Sequence, residues 1–116
     1  MSATAEEHIE FHGDHTARLI ISGQWLYDGL IPKSVRIFAL NYDFYYDLDE
    51  GYNDKGQQPE LNNRGEQYVI VWHNQPFFSA SDFPSNGYMN VKDAVKYAES
   101  VVQKIDWQEP VTKDYV

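Results

Sequence analysis

The residues with the clearest chemical character lie between positions 41 and 54. Five carboxylates and several tyrosines occur here without a single lysine or arginine. Tyrosines supply contact area at little entropic cost, and carboxylates pair with the Arg and Lys side chains of a basic partner. The alternative interpretation is a solvated acidic face. The candidate partner-binding residues are Asp43, Tyr45, Asp47, Asp49, Glu50, Tyr52 and Asp54.

Two groups of side chains have the composition of metal ligands but not the required spacing. His8, Glu10 and His12 alternate along one expected strand face, with Asp14 and His15 nearby, and could contribute to a zinc site, although they match known ligand patterns only loosely. The oxygen-rich stretch around Gly51 has the composition of a calcium loop. It lacks the glycine and the bidentate glutamate of an EF-hand at the required positions. We therefore predict neither a metal site nor a cofactor.

Catalytic signatures are absent from the sequence. The chain has no cysteine, and none of the serines lies in a G-x-S-x-G turn. His73 alternates with Val69 and Val71, which is typical of a half-buried strand residue rather than of a general base. The sequence also lacks a glycine-rich phosphate loop with its Lys-Ser/Thr ending. We predict that the protein is not an enzyme.

Composition indicates one folded domain with a restricted choice of partners. The 116 residues are 42% hydrophobic and 16% aromatic, which is enough for a core, and the net charge is −9. Such a charge repels nucleic acid and anionic membranes. The acidic N-terminus differs from a secretory signal, and no apolar run is long enough to span a bilayer. We predict a single cytoplasmic domain over 1–116, frayed at 1–7 and 111–116, from a prokaryote or phage.

Alternating and β-branched segments predict four or five strands. They are expected at 8–12, 16–22, 34–48 and 67–73, with a short edge strand at 77–80. The first alternates Ile9 and Phe11 with polar residues, as a half-buried strand does. The third keeps one apolar face to Leu48, while its other face is apolar only as far as Ala39. We therefore expect a long core strand, covered on both sides in its first half, followed by a loop at 49–66.

One amphipathic helix is predicted at 90–104. Asn90 is suited to cap it, with Asp93 placed to reach back, and small or β-branched apolar residues then recur at helical spacing. Val95, Ala98 and Val102 are expected to face the sheet. The predicted fold is a single α+β domain: a meandering antiparallel sheet of four to five strands with one C-terminal amphipathic helix packed on one face.

These observations favour a small acidic, non-catalytic module that engages and inhibits a basic, nucleic-acid-handling protein. Immunity proteins, antitoxins and phage inhibitors of host defence are of this physical type. The alternative is a small-ligand-binding domain with an aromatic pocket between the sheet and the long loop. The residues expected to line that pocket are Trp25, Tyr27, Tyr42, Phe44, Tyr68 and Trp72.

Overall fold

The computed structural model describes residues 8–48, 58–102 and 104–108. The ends predicted to fray, and residues 49–57 of the predicted loop, lie outside these ranges. The elements are β1 (Ile9–His12), β2 (His15–Tyr27), β3 (Ile31–Leu40), α1 (Phe44–Leu48), β4 (Gln67–Val71), α2 (Val91–Val101) and β5 (Asp106–Trp107).

The sheet is an antiparallel meander in the order β1-β2-β3-β4, and the two-residue β5 also pairs with β2. Helix α2 packs on one face, so the predicted α+β architecture is confirmed. β5 approaches closely because position 23 is glycine: a β-carbon there would lie 2.8 Å from Ile105 Cγ2 and 2.9 Å from the carbonyl oxygen of Asp106. No described helix is long and apolar enough to cross a membrane.

Both faces of the central strands are covered. Strand β3 alternates between two cores, with Ile37 under α2 and Phe38 on the opposite side. The α2-side core includes Ile21, Val35, Ile37, Ala39, Tyr68, Ile70, Ala94, Val95 and Ala98. The opposite core consists of Ala17, Phe38, Leu40, Val69, Val71 and Phe77. The expected double coverage of the first half of β3 is confirmed.

A β-bulge at Ile20 allows β2 to serve both cores. Leu19 pairs with Phe38 and Ile21 pairs with Ile37, so the strand gains one residue between them. An extra residue reverses the faces to which the following side chains point. Odd-numbered residues therefore face the Phe38 side before the bulge and the α2 side after it.

The second strand is longer than predicted. It continues to Tyr27, and Asp28 and Gly29 connect it directly to β3. Both residues have positive φ, 57° and 70°, so they form the tight turn of a hairpin whose second strand includes Pro32. An Asp-Gly pair is suited to such a turn because it tolerates positive φ at both positions.

The third strand is shorter than predicted. It ends at Leu40, and residues 44–48 are helical, so the expectation of one strand to residue 48 is wrong. Asn41 marks the end of the strand: its Oδ1 accepts a hydrogen bond from the Thr16 N–H (2.8 Å), and its Nδ2 donates to the Asp14 carbonyl (3.0 Å). These bonds join the end of β3 to the β1–β2 turn.

Edge strand β1 exposes its apolar face. Phe11 is 70% exposed, whereas the polar side chains lie over the phenylalanines of the opposite core. The His8 ring lies 6.4 Å from that of Phe38, and His12 stacks on Phe78 at 5.5 Å. Glu10 accepts a hydrogen bond from the Phe78 N–H (3.5 Å). The alternation of β1 marks a strand, but the face that packs on the phenylalanines is the polar one, and of its side chains only Glu10 is half-buried.

Three further boundaries differ from the prediction. β4 ends at Val71 rather than at residue 73. The segment 76–80 is a turn rather than an edge strand, and a hydrogen bond from the Ala80 N–H to the Pro76 carbonyl (3.1 Å) closes it. Helix α2 begins as predicted after Asn90, whose Oδ1 accepts from the Asp93 N–H (2.8 Å). It ends at Val101 rather than at residue 104.

Replacing Ala98 with Asp should destabilise the protein by roughly 3 kcal/mol or more, because it places an unpaired carboxylate in the fully buried helix–sheet contact. The control Ser100→Asp adds the same charge on the exposed side of α2 and should change the free energy of unfolding by only about 0.5 kcal/mol. Urea denaturation measures both. An Ala98→Asp variant as stable as the parent would show that the helix register is wrong.

Candidate functional site

Helix α1 is held at its N-terminus by the side chain of Asp43. Its Oδ1 accepts a hydrogen bond from the Tyr46 N–H (3.3 Å), which caps the helix. Its Oδ2 accepts from the Glu60 N–H (2.8 Å) and so anchors the chain that leads into β4. Because both oxygens accept backbone hydrogen bonds, this carboxylate orders the surface around it.

The buried amide of Gln67 fixes the same helix from the sheet. This side chain is 2% exposed. Its Oε1 accepts from the Phe44 N–H (3.2 Å), and its Nε2 donates to the Glu60 carbonyl (3.0 Å). A β-carbon at Gly87 would overlap the amide, so the backbone there lies directly against it. Gln67 therefore joins β4, α1 and the preceding loop.

Tyr45 is anchored rather than free. Its hydroxyl donates a hydrogen bond to the Pro84 carbonyl (2.6 Å), and its ring packs edge-on against Phe44 at 4.9 Å. Burial raises the pKa of the Tyr45 hydroxyl, which therefore stays neutral at physiological pH. The ring is a half-buried, rigid contact surface.

Asp47 is the exposed carboxylate of α1, with 49% of its side chain accessible. Its Oδ1 lies 3.9 Å from His15 Nε2, and the His15 ring stacks on Tyr42 at 3.7 Å with an interplanar angle of 9°. Burial, and then the charge of Asp47, raise the pKa of Tyr42 to about 12. Asp47 is thus placed beside a histidine and neutral aromatic rings.

Two exposed apolar side chains complete this region. Leu48 is 48% exposed and Phe83 is 63% exposed, and the Phe83 ring packs edge-on against Phe44 at 5.8 Å. Sequence reasoning missed Phe83 because it lies in a segment without periodicity, where its only signal is an aromatic residue within a polar loop. We call Tyr45, Asp47, Leu48 and Phe83 the α1 surface.

The structure brings three of the seven predicted partner-binding residues together on or beside α1, namely Asp43, Tyr45 and Asp47. Asp43 and Tyr45 use their polar atoms within the fold, and Asp47 is the exposed carboxylate. The other four, Asp49, Glu50, Tyr52 and Asp54, lie outside the described residues.

The aromatic residues proposed to line a ligand pocket do not converge on one site. Tyr68 is buried in the α2-side core, and Trp25 meets Trp72 edge-on at 6.2 Å on that same side. Tyr42 and Phe44 pack against the core on the opposite side of the sheet. The sheet itself therefore separates the two groups.

The histidine-rich strand β1 does not assemble a metal site within the described ranges. His8 Nε2 lies 3.2 Å from Glu10 Oε2, but His12 stacks on a phenylalanine instead. Across 8–48, 58–102 and 104–108, no group of three His, Asp or Glu side chains is arranged to hold a metal ion.

His73 lies at a polar cleft beside β3. Burial, and then the charge of Arg36, lower the pKa of His73, so its ring is neutral at pH 7. Its Nδ1 accepts a hydrogen bond from the Gln75 N–H (3.1 Å). The cleft has a volume of about 360 Å³ and is lined by Pro32, Lys33, Ser34, Trp72, His73, Asn74, Gln75 and Asp82.

Replacing Gln67 with Leu should lower the free energy of unfolding by about 2 kcal/mol or more, because the Phe44 N–H and the Glu60 carbonyl lose their partners. Gln24→Leu is the control, since it makes the same exchange at an exposed position and should change stability by only about 0.5 kcal/mol. Urea denaturation measures both. Equal effects of the two substitutions would contradict a structural role for the buried amide.

Comparison with known proteins does not identify a family for this chain. No family model matches it, and neither a curated protein nor a solved structure does. The α1 surface and the charge of the chain are therefore the observations from which its function is inferred.

Proposed function

We propose that the protein is a non-catalytic binding module that engages and inhibits a basic, nucleic-acid-handling protein through the α1 surface and the acidic residues that follow it. The observation that carries this proposal is the exposed Asp47 beside the stacked rings of His15 and Tyr42, at the start of a segment that is acidic and free of Lys and Arg.

Charge supports a basic partner. Residues 41–54 contribute five carboxylates to a chain of net charge −9, and they repel one another in the free protein. Arg and Lys side chains of a partner relieve that repulsion and attract the segment over distance, which raises the association rate. Carboxylates on such a surface can occupy a basic groove that otherwise binds phosphates. Inhibition follows from that occupancy.

Apolar contact area supports a protein rather than free ions as the binding partner. Leu48 directly follows Asp47 in α1, and Phe83 packs on Phe44 of the same helix, and both side chains expose carbon surface. Protein interfaces commonly combine a desolvated aromatic centre with a charged rim. The hydrogen bond of Tyr45 to Pro84 and the cap of Asp43 hold this surface rigid, so less conformational entropy is lost on binding.

The polar cleft beside His73 favours a second candidate function, the binding of a small ligand. Its volume of about 360 Å³ falls in the range of small-molecule sites, and Trp72 provides one aromatic wall. A thermal-shift measurement distinguishes the two candidate functions. A rise in melting temperature with a metabolite panel, without any protein partner, favours the ligand.

Changing Asp47, Asp49 and Glu50 to Asn, Asn and Gln tests the proposed function. Asp43 is kept because it caps α1. We expect the melting temperature to stay the same or rise, and the association rate with a basic partner isolated by pull-down to fall roughly 10-fold or more at low salt. High ionic strength should slow the association of the parent to about the rate of the variant, and should leave the rate of the variant nearly unchanged.

A matched control removes three carboxylates from other surfaces, with Asp28, Asp82 and Asp106 each changed to Asn. This variant has the same net charge as the first, so it separates a local effect from that of total charge. We expect it to associate nearly as fast as the parent and to keep most of the salt dependence. Equal loss of rate in both variants would place the interface elsewhere.

A further inference from the structure

The polar cleft beside His73 opens where β3 separates from the chain that follows β4. The two strands pair as far as Arg36 and Val71. Beyond that pair the lining of the cleft includes residues 32–34, which belong to β3, and residues 72–75, which follow β4. The cleft is therefore the gap between two segments of chain that no longer pair.

Arg36 fixes the position of the chain after β4. Its Nη2 donates hydrogen bonds to the carbonyls of His73 (2.8 Å) and Gln75 (2.6 Å), and its Nε donates to the His73 carbonyl (3.2 Å). Hydrogen bonds from a charged donor are roughly twice as strong as those between neutral groups. One wall of the cleft is therefore formed before any ligand arrives, which lowers the entropic cost of binding.

Two side chains of opposite charge, Lys33 and Asp82, line this cleft. Within the described ranges neither forms an ion pair, either with the other or with a third side chain. The Lys33 ammonium lies 5.9 Å from the centre of the Tyr27 ring, which is a weak partner for an exposed cation. One cation and one anion, both exposed at the same cleft, match a ligand that carries both charges.

Neutral donors in the cleft suit the anionic end of such a ligand. The Nδ1 of the neutral His73 ring accepts the Gln75 N–H (3.1 Å), so the ring hydrogen is on Nε2, which is a donor. The side chains of Ser34 and Asn74 form no hydrogen bond within the described residues. Together with an ammonium group, donors of this kind bind a carboxylate. Trp72 adds aromatic contact area for a flat group.

Charge also distinguishes a ligand with both signs from a simple ion. The net charge of −9 repels a free anion, whereas Lys33 and the adjacent Arg36 repel a free cation at the cleft itself. A zwitterion has no net charge, so neither repulsion acts on the molecule as a whole. Each of its ends can meet the side chain of opposite sign.

We propose that this cleft binds a free α-amino acid with a flat side chain. The carboxylate is held by Lys33 and the neutral donors beside it, the ammonium by Asp82, and the side chain lies against Trp72. The volume of about 360 Å³, at the lower end of the range of small-molecule sites, suits a ligand of this size. The inference rests on the ligand-binding function, the second proposed for this protein, and is independent of the α1 surface.

Titration of the isotope-labelled full chain with L-tryptophan, followed by NMR, tests the proposal. The amide signals of Asn74 and Gln75 should shift and saturate, with a dissociation constant of about 1 mM or tighter. Two analogues each lack one charge: 3-indolepropionate has no ammonium, and tryptamine has no carboxylate. Each should bind roughly 10-fold more weakly than tryptophan, the loss expected for one charge-assisted hydrogen bond.

Two substitutions assign each end of the ligand to its side chain. Asp82→Asn should weaken tryptophan roughly 10-fold, yet bind 3-indolepropionate at least as tightly as the parent does, because that analogue has no ammonium to lose a partner. Lys33→Gln should weaken tryptophan by a similar factor and leave the affinity for tryptamine unchanged or higher. Both positions are exposed, so the melting temperature should match that of the parent.

The matched control variants are Asp106→Asn and Lys96→Gln, which remove the same charges at exposed positions outside the lining of the cleft. We expect tryptophan to bind both controls as it binds the parent. A loss of affinity in the controls equal to that in the cleft variants would show that total charge, and not the two side chains of the cleft, governs binding, and would overturn the proposal.

The proposal is also overturned if tryptophan causes no saturable shift at Asn74 and Gln75, or if either analogue binds as tightly as tryptophan. These results separate the ligand class from the ligand-binding function. If 3-indolepropionate or tryptamine binds at the cleft and tryptophan binds no better, the cleft remains a small-ligand site and only the amino-acid assignment fails. If none of these compounds and no member of the metabolite panel binds, both fail.

Discussion

The buried amide of Gln67 is the interaction on which the acidic end of this protein depends. It lies in strand β4, yet it satisfies a backbone donor at the start of α1 and a backbone acceptor in the loop before β4. An apolar side chain in this place would leave both groups without partners in a dry environment. Asp43 closes the same junction from the other side by accepting from Glu60. The exposed carboxylate and aromatic rings of the α1 surface thus have a rigid base.

The two-sided sheet gives aromatic side chains a core to pack against on each of its faces. Helix α2 covers one face, and a layer of phenylalanines that includes Phe77 covers the other. The bulge at Ile20 directs the two halves of β2 to different cores. On edge strand β1, the polar face turns toward the phenylalanine layer, where the Phe78 N–H provides Glu10 with a hydrogen bond. Satisfied polar groups at the rim of an apolar layer cost little.

Two surfaces of different character occupy the two ends of β3. One end carries the α1 surface with the exposed carboxylate of Asp47, and the other is the hairpin turn with exposed apolar side chains such as Leu30. Charge steers association over distances of about 10 Å, whereas apolar contact acts only after close approach.

The sequence by itself determined the α+β class, the antiparallel meander and helix α2 with its Asn90 cap, because period, capping and turn residues are local signals. Tertiary structure decided the rest. Phe44 and Leu48 are four residues apart, a spacing that fits a helix turn as well as one face of a strand, so periodicity could not identify α1. The choice depends on hydrogen bonds to Glu60 and Gln67, which are distant in sequence. The face of β1 that packs on the phenylalanines and the exposure of Phe83 likewise depend on which segments lie beside them, and no local pattern encodes that contact.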